Sequence, residues 1–294
     1  MKAPTFLALA TLLAGINLPA AETKPDRALI AMVTGQKQVY LGWRLLGTDS
    51  SEIAFNVYRA TDGGVATKLN AEPLRAAGVR RVNVSLDTLD REQFARLTRR
   101  DRLPQVLEGI AAARAAGLAV KLNTVALKGV NEAEIPDLVA WAHGQGMELT
   151  LIEVMPLGEV EEDRIDHYLP LSTVRAGLEQ RFSLTPDAHR SGGPARYVQV
   201  GETGGRLGFI TPLTGNFCDG CNRVRVTATG QLYACLGGTE QVDLRAALRS
   251  PAPDAALAEA LNLAMRIKPE RHSFAITGPG GAPALARHMS VTGG

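Results

Sequence analysis

The chain has 294 residues, 45% of them hydrophobic, enough to bury at least one full core and in keeping with one or two domains. Such a composition excludes a disordered, collagen-like or coiled-coil polypeptide. Lys and Arg number 32 against 30 Asp and Glu, a formal charge of +2, so there is no global field to grip nucleic acid or a membrane surface, and any anion site must be local.

The chain opens with Lys2 ahead of an apolar run from Phe6 to Leu18, closed by Pro19, Ala20 and Ala21. This pattern predicts a secretory signal peptide over residues 1–21, and the run is too short for a comfortable membrane span. Beyond it, Val39, Leu41 and Trp43, then Ile53, Phe55 and Val57, alternate in the β manner. Gly47, Asp49 and Ser50 supply a turn between these two expected strands, and Asp62, Gly63 and Gly64 the next one. Taken alone, the segment is a fragment of a β-sandwich.

From Arg75 the texture changes to alternating β and α units. Val79 to Leu86 reads as a strand, and Leu103 to Ala116 as a helix, with Leu103, Val106, Leu107 and Ile110 on one face and Gly117 at its end. Leu118 to Val125 reads as the next strand, with Leu118, Val120 and Leu122 on one face and Lys121 and Asn123 on the other. Asn131 with Glu134 three positions on predicts a capped helix start, continued by Leu138, Val139 and Ala142, and Met147 to Val154 reads as a third strand. Strand, helix, strand, helix, strand argues for a parallel sheet with right-handed crossovers. Functional groups in such sheets gather at the carboxyl ends of strands, which singles out Ser85 and Asp87, Lys121 and Asn123, and Glu153 and Met155. Any one of them alone could be an ordinary strand-end polar group; Met155 is otherwise a core residue.

A helix is expected from Ser172 to Phe182, then a polar connection through His189 to Pro194 and a set of short strands. The three cysteines, Cys218, Cys221 and Cys235, lie within 18 residues, and an odd number so crowded is not a framework of paired disulfides. An alternating strand is expected from Arg223 to Thr229, with Gly230 turning it back into Gln231 to Leu236, so that Cys235 returns beside Cys218 and Cys221. Three thiolates on one hairpin fit an iron–sulfur cluster with one open iron. Zinc competes, although it usually takes four ligands in a structural site and no His lies between His189 and His272; incidental cysteines are the bland alternative. Arg223 and Arg225 share a face beside this pair and make a fork for phosphate or a purine edge, against the reading of a solvated basic face. The Gly- and Pro-rich stretch from Gly278 to Pro283 and the closing Gly293-Gly294 predict a mobile tail.

Two resemblances follow from quoted segments. VYLGWRLLGTDSSEIAFNVYRATDGGVATKLNAEPL, ending near Leu74, resembles the N-terminal β domain of secreted rhamnogalacturonan lyases, without an identifiable catalytic residue. NVSLDTLD at Asn83 to Asp90, KLNTV at Lys121 to Val125, IEVMPLG at Ile152 to Gly158, NFCDGCNRVRVTATGQLYACL at Asn216 to Leu236 and the Gly-Gly end together resemble the GTP 3',8-cyclase family of molybdenum cofactor biosynthesis, a branch of the radical S-adenosylmethionine (SAM) enzymes. That resemblance implies an α/β fold: an incomplete radical-SAM-type (β/α) barrel with a C-terminal cluster-binding domain, preceded by a short β fragment. With the N-terminal pattern and the lyase resemblance, the expected segments are a signal peptide at 1–21, the β fragment at 22–73, the partial barrel at 74–170 and the cluster and GTP domain at 171–294.

The resemblance also implies roles. Cys218, Cys221 and Cys235 would hold an auxiliary 4Fe–4S cluster; Lys121, Arg223, Val224 and Arg225 would bind GTP; Ser85 and Met155 would line the S-adenosylmethionine site. In the family's reaction a 5'-deoxyadenosyl radical takes hydrogen from C3' of GTP, and the new radical attacks C8 of guanine. Implied partners are GTP and, by family, a second copy in a homodimer, with no nucleic acid and no membrane apart from export machinery. The family implies a cytoplasmic address, whereas the first 21 residues argue for export. The family's N-terminal Cys-x3-Cys-x2-Cys, which starts the radical, has no counterpart, because the first 217 residues contain no cysteine. The sequence therefore predicts a chimera of an exported β start and a truncated cyclase, inactive as written. Its alternatives are a non-catalytic GTP- and 4Fe–4S-binding remnant and an exported polysaccharide lyase fragment.

Overall fold

The computed structural model describes residues 71–76, 78–158, 166–191, 193–215, 217–276, 284–287 and 289–291, together with the backbone of five short strands within the first 69. By internal contacts, residues 1–82 and 98–120 form one unit, and residues 83–97 and 121–294 a second.

The first unit holds β1 (Phe6–Leu7), β2 (Ile30–Gly35), β3 (Gln38–Gly42), β4 (Val57–Thr61), β5 (Thr67–Leu69), α1 (Ala71–Ala76) and α3 (Leu103–Ala115). β2 and β3 form an antiparallel pair, while β4 pairs with β5 and β1. The two strands expected around Leu41 and Val57 thus belong to different sheets, and the expected turn at Gly47–Ser50 lies outside the described residues. Each finds its partner in nearer chain, β2 for one and β5 for the other. Most of the expected signal peptide, and the expected strand residues Trp43, Ile53 and Phe55, lie outside the described residues. α3 buries Leu103, Ile110 and Ala113, the stripe expected of it. It ends in a Schellman turn, with Gly117 at φ +74° and the Leu118 amide donating to the Ala113 carbonyl at 3.0 Å.

The main sheet has the order β6–β7–β8–β11–β10–β9, with β6 (Arg81–Ser85), β7 (Ala119–Ala126), β8 (Glu148–Glu153), β9 (Leu184–Asp187), β10 (Arg196–Val200) and β11 (Gly205–Ile210). β7, β8 and β11 run parallel, as the strand–helix alternation requires, and β10 and β9 continue the sheet antiparallel. One face carries Leu122, Leu149, Leu151, Leu207 and Val198, all 4% exposed or less. Against β8 on this face pack α4 (Ile135–Gly144), buried through Leu138, Val139 and Ala142, and α5 (Leu171–Leu178). The expected helix Ser172–Phe182 therefore ends four residues early, in a turn where the Phe182 amide returns to the Leu178 carbonyl.

α2 (Arg91–Thr98) follows the loop after β6. The helix start at Asn131 is not capped as expected. The Asn131 side chain, 1% exposed, accepts from the Leu127 amide and donates to the Asp87 and Val125 carbonyls, each at 2.8 Å. Glu134 accepts from the Thr88 hydroxyl and, at 2.6 Å, from the Leu89 amide. Both residues join the loop after β6 to the loop after β7, so long-range partners displace the local capping box. Asp87 adds a further tie by accepting from the Val125 amide at 2.8 Å.

The C-terminal part is a three-stranded sheet of β12 (Arg225–Val226), β13 (Gln231–Tyr233) and β14 (Gln241–Asp243), with α6 (Leu244–Leu248) and α7 (Pro253–Arg266). Leu232, Val242 and Ala264 form its small core, with Leu244, Ala260 and Ile267 against them. Among the described residues no helix is long and apolar enough to cross a membrane.

Candidate functional site

The sheet face opposite the helices is polar. Register places Lys121 beside Glu148, Asn123 beside Thr150, Thr150 beside Gly208, and Gly208 beside Tyr197, so all of these share that face. Lys121 is only 6% exposed, and its ammonium donates to the Tyr197 hydroxyl at 2.6 Å, which in turn donates to Ser191 Oγ at 2.8 Å. Tyr197 lies three strands away, about 14 Å at the usual interstrand spacing, so both side chains stretch across β8 and β11 to meet. Gly208 makes the crossing possible: a Cβ there would come within 2.8 Å of Thr150 Oγ1 and 2.9 Å of the Tyr197 ring.

Lys121 is the third residue of β7 and Asn123 the fifth, so neither sits at the carboxyl end as expected; β7 runs on to Ala126. Ser85 does close β6 and is exposed, and Met155 follows β8 and is half-buried. Glu153, fully buried, is used otherwise than as a strand-end reactive group. It accepts from the amides of Leu171, Leu213 and Thr214 at 2.9–3.1 Å and from the Thr214 hydroxyl. The carboxylate thereby fixes the start of α5 and the turn after β11.

The cysteines sit on the ends of the β12–β13 hairpin. Cys218 opens a short 3-10 turn (Cys218–Gly220), and the Cys221 amide donates to the Cys218 carbonyl at 2.9 Å. None of the three is in a disulfide, and all are half-buried. Burial raises the Cys235 thiol, while the Gly237 amide and the Lys268 charge act the other way; Cys218 and Cys221 lie close enough to act on it electrostatically. Among the described residues no group of three or more His, Cys, Asp or Glu stands ready-arranged around a metal position, so the thiols share a hairpin end without forming a closed cage. The chemistry of the donor set nonetheless fits three-thiolate ligation: His272, which sequence spacing set aside, packs against Gly237, but its Nε2 bonds the Pro212 carbonyl and its Nδ1 the Phe274 amide.

The expected strand Arg223–Thr229 contracts to Arg225–Val226, and Gln231–Leu236 to Gln231–Tyr233. Lys268 is the reason at one end, since its ammonium takes the Arg223 and Ala234 carbonyls at 2.7 Å each. At the other end the Gly230 amide closes the turn onto Thr227. The alternation survives: Arg223 and Arg225 are half-buried, whereas Val224 and Val226 are 37% and 46% exposed. The arginines are thus less exposed than the valines between and after them, which is not the pattern of a fully solvated basic face. A separate groove of about 400 Å³, lined in part by Arg175, Arg190 and Arg196, includes none of the expected site residues, although Tyr197, the partner of Lys121, borders it.

A sheet of parallel strands with polar groups on its open face, joined to a three-thiol hairpin, is the framework of a radical SAM protein. A family model of the radical SAM superfamily matches residues 54–142, and that of Molybdenum Cofactor Synthesis C matches 147–274. A third, of the Rhamnogalacturonan I lyases beta-sheet domain, matches residues 22–79. The GTP 3',8-cyclase of Erythrobacter litoralis is 67% identical over 234 residues, 80% of this chain and 70% of that protein. Those of Rhizobium meliloti and Rhodopseudomonas palustris are 61% and 59% identical over the same share of the chain, 67% and 68% of their own lengths. The chain belongs to the GTP 3',8-cyclase family.

Proposed function

We propose that this chain is the GTP-holding and auxiliary-cluster part of a GTP 3',8-cyclase, without the machinery that starts the radical. Cys218, Cys221 and Cys235 would hold a 4Fe–4S cluster, which when bound offers an open iron to a substrate atom. Arg223 and Arg225 would bind GTP with the Val224 backbone between them, and Lys121 would reach it from the sheet. Ser85 and Met155, at the ends of β6 and β8, would line the S-adenosylmethionine pocket.

The observation that carries the reading is the partial burial of Arg223 and Arg225 on alternate positions beside the cysteines. A half-buried guanidinium beside three thiols offers a planar fork to an anion. Lys121 has the same character: a buried ammonium held by a phenol rather than by a carboxylate keeps its charge available for a phosphate or a purine oxygen. The lack of any cysteine before Cys218 supports the missing radical initiation, because family chemistry needs a second cluster. The segments 1–21, 22–73, 74–170 and 171–294 remain the proposed division, and the first 21 residues the proposed export signal, in tension with the cytoplasmic address the family suggests.

Equilibrium binding of GTP to the anaerobically reconstituted 294-residue chain tests this. Arg223→Ala and Arg225→Ala should each weaken binding by roughly 1.5–3 kcal/mol, the scale of a charge-assisted contact. An unchanged affinity removes that arginine from the site, and a folded chain that binds no GTP overturns the reading.

A further inference from the structure

Four of the five carbonyls from Ala234 to Gly238 accept from side chains far away in sequence. Lys268 takes Ala234 together with Arg223 across the hairpin, at 2.7 Å each. Arg287 Nη2 takes Leu236 at 2.7 Å and Gly238 at 3.0 Å, and Ser273 Oγ takes Gly237 at 2.9 Å. The fifth carbonyl, that of Cys235 itself, accepts from the Gly238 amide at 3.4 Å. The Arg287 guanidinium also lies 3.9 Å from the centre of the Tyr233 ring, and Tyr233 is the cross-strand partner of Arg225. Gly237 is closed in as well: a Cβ there would come within 2.7 Å of His272 and 2.9 Å of the Phe274 ring.

A turn with this many charged donors on its carbonyls is costly to build for stability alone. Lys268 and Arg287 surrender long, flexible side chains to hold backbone that could have been met by water. The segment carrying Arg287 is itself tied down two residues earlier, where the Gly158 amide donates to the Leu285 carbonyl at 2.8 Å and Leu157 bridges Leu285. Met155 lies just before that bridge. One short segment therefore touches both the chain after β8 and the loop of the third cysteine.

We propose that Lys268 and Arg287 are positioning residues for Cys235: they fix its loop before any cluster arrives, and Lys268 in addition places a positive charge beside the cluster that the three thiolates would hold. The first part stands on the hydrogen bonds alone; the second rests on the proposed cluster.

The test uses the full 294-residue chain, first without iron. Arg287→Gln should raise amide hydrogen exchange at Ala234 and Gly238 by about tenfold, the opening expected when a charge-assisted hydrogen bond is lost. Exchange at Val226 and Leu232 should stay at its wild-type rate. Lys268→Met should raise exchange on both limbs of the hairpin. Arg287→Lys, which keeps the charge and one donor, should give a smaller rise confined to the same loop, and it decides the matter if Arg287→Gln exchanges everywhere. After reconstitution, Lys268→Met should lower the midpoint potential of the cluster, because removal of a nearby cation disfavours the reduced, more negative state, and Lys268→Arg should restore it.

Wild-type exchange in the Ala234–Gly238 loop of the Arg287 variants overturns the positioning role even where the cluster assembles. A chain that takes up no iron but shows the exchange pattern keeps that role and overturns the cluster. A potential unmoved in Lys268→Met overturns the electrostatic part.

Discussion

Lys121 and Tyr197, 76 residues apart, meet at 2.6 Å across two intervening strands, and each is almost wholly buried. The phenol is the partner that makes the buried ammonium tolerable, since the neighbouring carboxylate on that face, Glu148, is bonded to Arg206. Tyr197→Phe should keep the packing and remove that oxygen. We expect a loss of about 1–3 kcal/mol in chemical denaturation and a GTP affinity about tenfold weaker. Wild-type values for both would mean that water replaces the phenol without consequence.

Glu153 gathers three backbone amides and one hydroxyl onto a single buried carboxylate. Glu153→Gln puts an NH2 group against those donors, leaving at least one of them unmatched. The expected cost is about 2–4 kcal/mol, read as a lower urea midpoint at unchanged slope. A loss under about 0.5 kcal/mol would show that the turn after β11 does not depend on this residue.

Tyr168 gives the chain an alkaline signature. Burial, and next the negative charge of Glu153, push its hydroxyl from the ordinary value of 10.0 up to about 12. In this window the unfolded chain has lost the proton that the folded chain keeps, so stability is whole below pH 10 and falls as pH rises towards 12. Stability measured from pH 9 to 12 should fall less steeply in Tyr168→Phe than in the parent. Parallel curves would remove Tyr168 as the cause.

These positions also show how far the sequence could be read. The cysteines and the alternating arginines were legible because chemistry and spacing are local there, and so were the parallel strands β7 and β8 with the helix α4 between them. Asn131 and Glu134 misled for the same reason: they match a local capping pattern, yet their partners are Asp87, Thr88 and Leu89. Tyr197 was missed because a tyrosine on an edge-side strand carries no mark of the lysine it will meet. Lys268 and Arg287 were missed because they bond backbone carbonyls, which every residue offers alike.

S-adenosylmethionine cleavage offers a separate check. With three cysteines in all, the chain as written has thiolates for the proposed auxiliary cluster and none for a second, so no 5'-deoxyadenosine should form even with a strong reductant. Its appearance above a no-protein control in liquid chromatography would show that the radical-generating site has been misplaced.

The most direct measurement is the iron and acid-labile sulfide content of the anaerobically reconstituted chain. The account predicts about four of each per chain, with loss of the cluster on replacing Cys218, Cys221 or Cys235 by Ala. Tight stoichiometric zinc with no iron uptake would contradict it.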